Sequence, residues 1–459
     1  MTRRAAVVGI AIVVVVAALV AAPFAAEKWW PLQTSPRGEG TSYEEPSSRI
    51  DDAGRAVQRQ PRQRSTDPDA YAEFRRYVED RRAAGKPTTL RELLGPDPPD
   101  ADNAGVEIKA ALDAVTAELG DESTWPKCGP WGMTPIEDAT PEEVEELRQF
   151  VKRFGPFLDR VATALDRPRC RFPVPDLPGE LYERSIRPMQ RTSRILMAVA
   201  NSDAGAGERT NAIRTLLQLV RKEEPVGAVS LMVDCAATAS ALRAIRSGVE
   251  SGKLDLAQTR VPIGELLRSD WISRGPEFVD LQLVELLSGY AAWIDGRITE
   301  FGAAVDASDL ETPAAAEVVA AAELMEQVAG VPTSPFAAYA QKLGEIREMG
   351  EQRDDVSASF APMPSLIVRR LAEVDAATRL ARVALTVAEH RATHGDFPGS
   401  LDDLKPMFPE GVPVNPMTDA PFVYAPTPTG VRIATEVRSD DEEHEQNLRD
   451  KCLVWDLKR

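Results

Sequence analysis

The chain carries three histidines, four cysteines and 72 acidic side chains, and their spacing sets the chemistry open to it. His390 and His394 stand four residues apart, which puts two imidazoles on one helix face at a spacing that can hold a metal. Between them lie Arg391-Ala392-Thr393, with no carboxylate to act as a general base, and no third ligand is identifiable. The competing reading is a histidine at a helix end, packed by Phe397. From Pro68 to Gly350 there is no histidine, so the commonest general base and metal ligand is missing from that stretch. The chain contains no G-x-S-x-G, no G-x-x-x-x-G-K and no H-E-x-x-H. Two carboxylates can act as acid and base, but the sequence does not single out a pair. An exported carboxylate-dependent hydrolase is therefore an alternative rather than the leading expectation, and no catalytic residue is assigned.

The cysteines are Cys128, Cys170, Cys235 and Cys452. None forms a C-x-x-C pair, so neither a zinc ribbon nor a thioredoxin-like motif has local support. Cys128 and Cys170 both lie in Pro-rich connections around one helix, and they are the expected disulfide if the body is exported. Cys235 falls in an apolar helical run and reads as a buried thiol.

The 459 residues have a formal net charge of −18 and a pI near 4.9. That balance argues against a nucleic-acid partner, because phosphate binding needs clustered Lys and Arg. The pairs Arg75-Arg76 and Arg81-Arg82 have Glu73, Glu79 and Asp80 beside them and read as solvated helix faces.

The elements that would position these residues begin with Arg3-Arg4 and an uncharged run from Ala5 to Ala26. As a helix it would be ~33 Å long, enough to cross a bilayer core. Residues 1–30 are expected to be a membrane anchor or signal segment, with Trp29-Trp30 at the interface. Charge before the run directs the body outward. The expectation is a single-pass protein of a bacterial inner membrane with its body on the extracytoplasmic side. A signal peptide cleaved after Val20-Ala21-Ala22 is the rival. Residues 31–67 are polar and Pro/Gly-bearing and read as a flexible linker.

Residues 68–350 read as a helical domain. Tyr71, Phe74 and Val78 mark one face of a first helix. A second spans Asn103 to Leu119. The loop Trp125–Gly132 reads as a packed or disulfide-braced connection, with ligand binding as the sharper alternative. Thr140-Pro141-Glu142-Glu143 is a capping-box start, followed by an apolar seam from Val144 to Leu165 that Gly155-Pro156 interrupts. Further segments run Gly179–Asn201, with Pro188 expected to kink or divide it, then Gly207–Lys222 and Pro225–Ser251. After these come Pro276–Phe301, Pro313–Ala329 and Pro335–Gly350. Residues 365–459 form a last unit: a helix from Ser365 to His394, closed by Gly395, then strands at Pro421–Ala425, Val431–Val437 and Cys452–Asp456. The expected fold is mainly α, an antiparallel helical body with a small C-terminal α+β module of a long helix plus antiparallel strands.

The order of long helix, His394-Gly395-Asp396-Phe397-Pro398-Gly399-Ser400-Leu401-Asp402-Asp403-Leu404, Val412-Pro413-Val414-Asn415-Pro416 and Pro421-Phe422-Val423-Tyr424 resembles the globular head of type II secretion major pseudopilins. It is also similar to a C-terminal module of uncharacterised exported bacterial proteins of the planctomycete type. Arg167-Pro168-Arg169-Cys170-Arg171-Phe172-Pro173 and Pro98-Pro99-Asp100…Asn103-Ala104 resemble features of those proteins too. A pseudopilin has its membrane helix directly before the head, whereas here the apolar run ends near Ala26 and the unit starts near Ser365. A polymerising pilin is therefore not expected. The resemblance implies a calcium loop near the end, where Ser439–Glu445 stands. That stretch is acidic but lacks glycines, so calcium at Asp440, Asp441 and Glu443 and a solvated acidic loop remain alternatives. The functional expectation is a membrane-anchored extracytoplasmic protein of structural or protein-interaction role, with an unidentified protein partner. The alternatives are the hydrolase and a secretion-system accessory.

Overall fold

The computed structural model describes residues 67–119, 140–175, 180–202, 206–252, 254, 263–267, 270–295, 297, 314–352, 362–436 and 442–458. The apolar N-terminal run, the linker and the Trp125–Gly132 loop lie outside them.

The chain folds as helices followed by a small antiparallel strand unit, the class its punctuation by Pro and Gly predicts. In chain order the helices are α1 (Ala72–Ala83), α2 (Leu90–Leu94), α3 (Ala104–Leu119), α4 (Pro141–Lys152) and α5 (Gly155–Ala164). Next come α6 (Arg187–Asn201), α7 (Ala206–Lys222), α8 (Ala228–Glu250) and α9 (Gly275–Ile294). α10 (Ala315–Ala329), α11 (Phe336–Glu351) and α12 (Pro362–His394) complete the helical part. The strand unit holds β1 (Val414–Asn415), β2 (Ala420–Pro421), β3 (Val423–Thr427), β4 (Gly430–Ala434), α13 (Glu442–Asp450) and β5 (Val454–Lys458).

Local chemistry accounts for many of the ends. At α4, Thr140 Oγ1 accepts from Glu143 N and the Glu143 carboxylate accepts from Thr140 N at 2.8 Å, a reciprocal cap. Gly155-Pro156 separates α4 from α5, as the break in the seam requires. Pro188 does not divide its helix. A π turn at Tyr182–Ile186 leads straight into α6, and the wider turn absorbs the missing N–H and the ring. The acidic run is helical from Glu442 onward.

α8 is the axis of the molecule. It packs against α6, α7, α9, α12 and β5. An apolar stretch surrounded on all sides needs no polar face, so α8 has a mean hydropathy of 1.4 over its best window and is long enough to span a bilayer. That window is 78% buried by its neighbours.

α12 is shared between the helical layers and the strands. Its flanks pack on α8, α9 and α11, and also on β1, β4 and β5. Leu371, Val374, Leu380, Val383 and Val387 are buried along it. One continuous apolar core thus runs from Tyr71 to Leu457. Gly395, at φ 86°, turns the chain out of α12 as the left-handed residue after a helix should. The sheet order is β3-β4-β5, with Tyr424 opposite Ile433 and Ile433 opposite Trp455. Gly430 lies against the Leu457 carbonyl, where a Cβ has no room. Tyr424 donates its hydroxyl to Pro398 O at 2.6 Å, and the Asn415 side chain accepts from Met417 N at 3.0 Å. Several of the residues that carry the family resemblance therefore hold turns.

Candidate functional site

Three places bring reactive or charged side chains together: a brace with a buried acid pair, a histidine pair and an arginine-rimmed cleft.

The brace joins the two N-terminal sequence features noted above. The segment 167–173 lies beside residues 94–105 through parallel bridging of Asn103 with Arg169 and beside the end of α7 through Cys170 with Glu223. Asn103 Nδ2 donates to Arg171 O at 2.8 Å, while its Oδ1 accepts from Arg171 N at 2.8 Å and Gly105 N at 3.1 Å. Arg171 is 4% exposed and donates to Leu94 O, Pro96 O and the Glu224 carboxylate. Arg169 binds the same carboxylate, and Arg167 donates to Asp100 O and Asn103 O. These hydrogen bonds to Arg169 and Arg171 hold the Glu224 carboxyl below its usual range against the opposing effect of burial, the largest single influence on it. Gly105 is required because a Cβ there would run into the Arg171 carbonyl. Sequence spacing could not reveal that these arginines and this asparagine satisfy buried backbone groups.

Directly behind the brace, Glu223 and Asp234 are enclosed at 4% and 0% exposure. Burial first, and then the neighbouring Asp234 carboxylate, push the Glu223 carboxyl well above the usual range. With both groups ionised, the Glu223 oxygens have no donor among the described residues. With one proton between them the two carboxyls can hydrogen-bond. Arg274 Nη1 lies 3.6 Å from Asp234, and Arg274 also binds Glu277 at 2.8 Å and stacks over Trp271. This is a carboxyl–carboxylate–guanidinium chain sealed from solvent, suited to holding a proton. Sequence reasoning missed it, because 72 acidic residues gave no local sign of which two would meet. Two further carboxyls are displaced in the same direction. Burial raises Asp375 to about 6 despite Arg379 at 2.8 Å, and raises Glu285, which accepts from Ala228 N at the start of α8, to about 7.

Of the expected site residues, Cys170 is a fully buried thiol within the brace, and burial followed by Glu223 pushes its pKa up. Its expected partner Cys128 lies outside the described residues. Cys235 is buried as expected, its thiol raised to about 12. Asp440 and Asp441 also lie outside the described residues, and Glu443 stands in the first turn of α13. Among the described residues no group of three or more His, Cys, Asp or Glu is arranged to hold a metal ion. His390 and His394 are stacked on each other with centroids 4.2 Å apart. Phe397 is covered by Arg391 at 5.0 Å.

The cleft, of about 540 Å³, lies between α1, the Thr88–Arg91 turn and α9. Phe74, Val78, Leu90, Leu287, Ala291 and Ile294 line it with apolar surface, and Arg75, Arg82, Arg91 and Arg297 stand around it together with Glu79 and Asp295. α1 is fixed against α9 by Phe74 edge-on to Tyr290 at 4.8 Å and Tyr71 edge-on to Trp293 at 6.0 Å. The Arg pairs of α1 divide their tasks. Arg81 is buried and binds Pro87 O and Glu326, whereas Arg82 holds Thr88 Oγ1 at the cleft and Arg75 is exposed there. The reading of solvated faces thus fails for Arg81, because the apolar contact of α10 carries Glu326 to it. A second, wider cavity of about 820 Å³ lies between α12 and the Met407–Val414 segment.

The chain matches no protein-family model, no curated protein and no solved structure.

Proposed function

We propose that the chain is a single-pass, membrane-tethered protein whose helical body stands on the extracytoplasmic side and binds an acidic, partly apolar segment of another protein. The cleft between α1 and α9 carries this reading. An apolar floor ringed by Arg75, Arg82, Arg91 and Arg297 offers hydrophobic contact and charge-assisted hydrogen bonds together. Four arginines against the two carboxylates Glu79 and Asp295 make the lining net positive on a chain of net charge −18, which favours carboxylate-bearing partners there over the rest of the surface. The N-terminal apolar run behind Arg3-Arg4 supports the tether. A hydrolase would need its acid pair to face substrate. Glu223 and Asp234 are enclosed instead, and neither cavity named above is lined by them.

The test is crosslinking in intact cells from a photoreactive residue at Glu79, an exposed position of the cleft. A discrete adduct is expected, and the double change Arg75→Glu with Arg91→Glu should abolish it while leaving the melting temperature within a few degrees. Absence of an adduct, or an adduct indifferent to the charge reversal, would sink the cleft reading. An adduct belonging to a secretion pilus would identify the accessory role. Protease added outside spheroplasts should digest the body; full protection would place it in the cytosol and overturn the topology.

A further inference from the structure

The last two turns of α12 carry the two stacked histidines, and neither the fold nor the proposed cleft uses them. His390 Nδ1 lies 3.2 Å from the Asp396 carbonyl oxygen, and His394 Nδ1 lies 3.0 Å from the His390 carbonyl oxygen. A carbonyl oxygen only accepts. Both Nδ1 atoms must therefore carry the proton, which leaves the lone pair of each neutral ring on Nε2. A backbone carbonyl holding Nδ1–H is the arrangement that fixes a histidine tautomer for metal ligation through Nε2. The ring planes lie within 20° of each other with centroids 4.2 Å apart. His390 is half-buried and His394 exposed, so solvent reaches the pair. Arg391, the nearest cation in sequence, is drawn aside over Phe397 and donates to Lys458 O.

We propose that His390 and His394 form a two-nitrogen surface site for a borderline divalent transition cation such as Cu²⁺ or Zn²⁺, with water completing the coordination. Imidazole suits these ions and not Ca²⁺ or Mg²⁺, which take oxygen ligands. In the stack the two ring planes are nearly parallel, so binding turns the rings out of it until both Nε2 lone pairs point at one ion, at a Zn–N distance of about 2.0–2.1 Å. No backbone movement is needed, since i and i+4 already share a helix face. Because protons compete for the same nitrogens, affinity falls as pH is lowered.

The chain contains one other histidine, His444, which binds Glu436 at 2.9 Å and serves as the internal control. The full chain is titrated with CuCl₂ and with ZnCl₂ by calorimetry, and the Cu²⁺ form is examined by electron paramagnetic resonance. One equivalent should bind with two nitrogen ligands in the spectrum. His390→Gln and His394→Gln should each weaken that equivalent by about tenfold or more, His444→Gln should not, and excess CaCl₂ should not compete. An equal affinity in His394→Gln, a one-nitrogen spectrum, or displacement by Ca²⁺ would assign the binding to the surface carboxylates and overturn the proposal. The three variants should melt with the parent, because these rings are not part of the core.

Discussion

At the scale of single residues, the chain stores protonation energy in its interior. The folded pKa of Glu223, Glu285 and Asp375 is raised above the unfolded value. Each therefore contributes stability that is fully present below the unfolded pKa and lost as pH rises through the folded one. For Asp375, lifted from 3.8 to about 6, the loss is on the order of 3 kcal/mol and falls between those two values, so that it is nearly complete at neutral pH. Glu224 and Glu373 are depressed by their Arg and Lys partners and work in the opposite sense, losing stability as pH falls into the acid range. The melting temperature is thus expected to be highest at mildly acidic pH and to fall toward pH 8. Glu223→Gln keeps the shape and supplies an amide donor to Asp234 without a titrating proton. It should flatten the alkaline side of that profile and raise the melting temperature at pH 8; an unchanged slope there would show that Glu223 does not hold the proton. Gly105→Ala tests the brace at the same scale. The methyl meets backbone rather than a yielding side chain, so a destabilisation of about 2 kcal/mol or more is expected by chemical denaturation.

Elements differ in how far they could be read from the chain. Ends fixed by near neighbours were legible: the Thr140/Glu143 cap, the Gly155-Pro156 break and the turn at Gly395 each depend on residues within a few positions. Elements decided by distant partners were not. The π turn before Pro188 reflects packing as much as sequence, and β5 begins two residues later than β-propensity suggested because Ala434 pairs with Val454. The brace is the clearest case. Asn103 and Arg171 are 68 positions apart, and their types alone say only that both are polar. The histidine pair was visible as a spacing, yet its tautomers follow from carbonyls whose positions only the folded turn defines. At this scale β5 offers a direct test. Trp455 is fully buried between the sheet and the helices, so Trp455→Ala should cost about 3–5 kcal/mol. A loss below 1 kcal/mol would mean that the strand unit is peripheral to the core.

At the scale of the whole molecule, α8 sits at the centre and its partners flank it in the chain, from α6 to β5. Glu250 at its end accepts from Asp456 N at 3.1 Å, across 206 positions, and Arg246 donates to the Arg449 carbonyl. Lys451 reaches back to Glu373 on α12 at 2.9 Å. Synthesis proceeds from the N-terminus, so the walls around α8 are incomplete until β5 has left the ribosome. Until then its apolar surface has no permanent cover, and the partial chain remains pliable. β5 acts as the latch that ends that period.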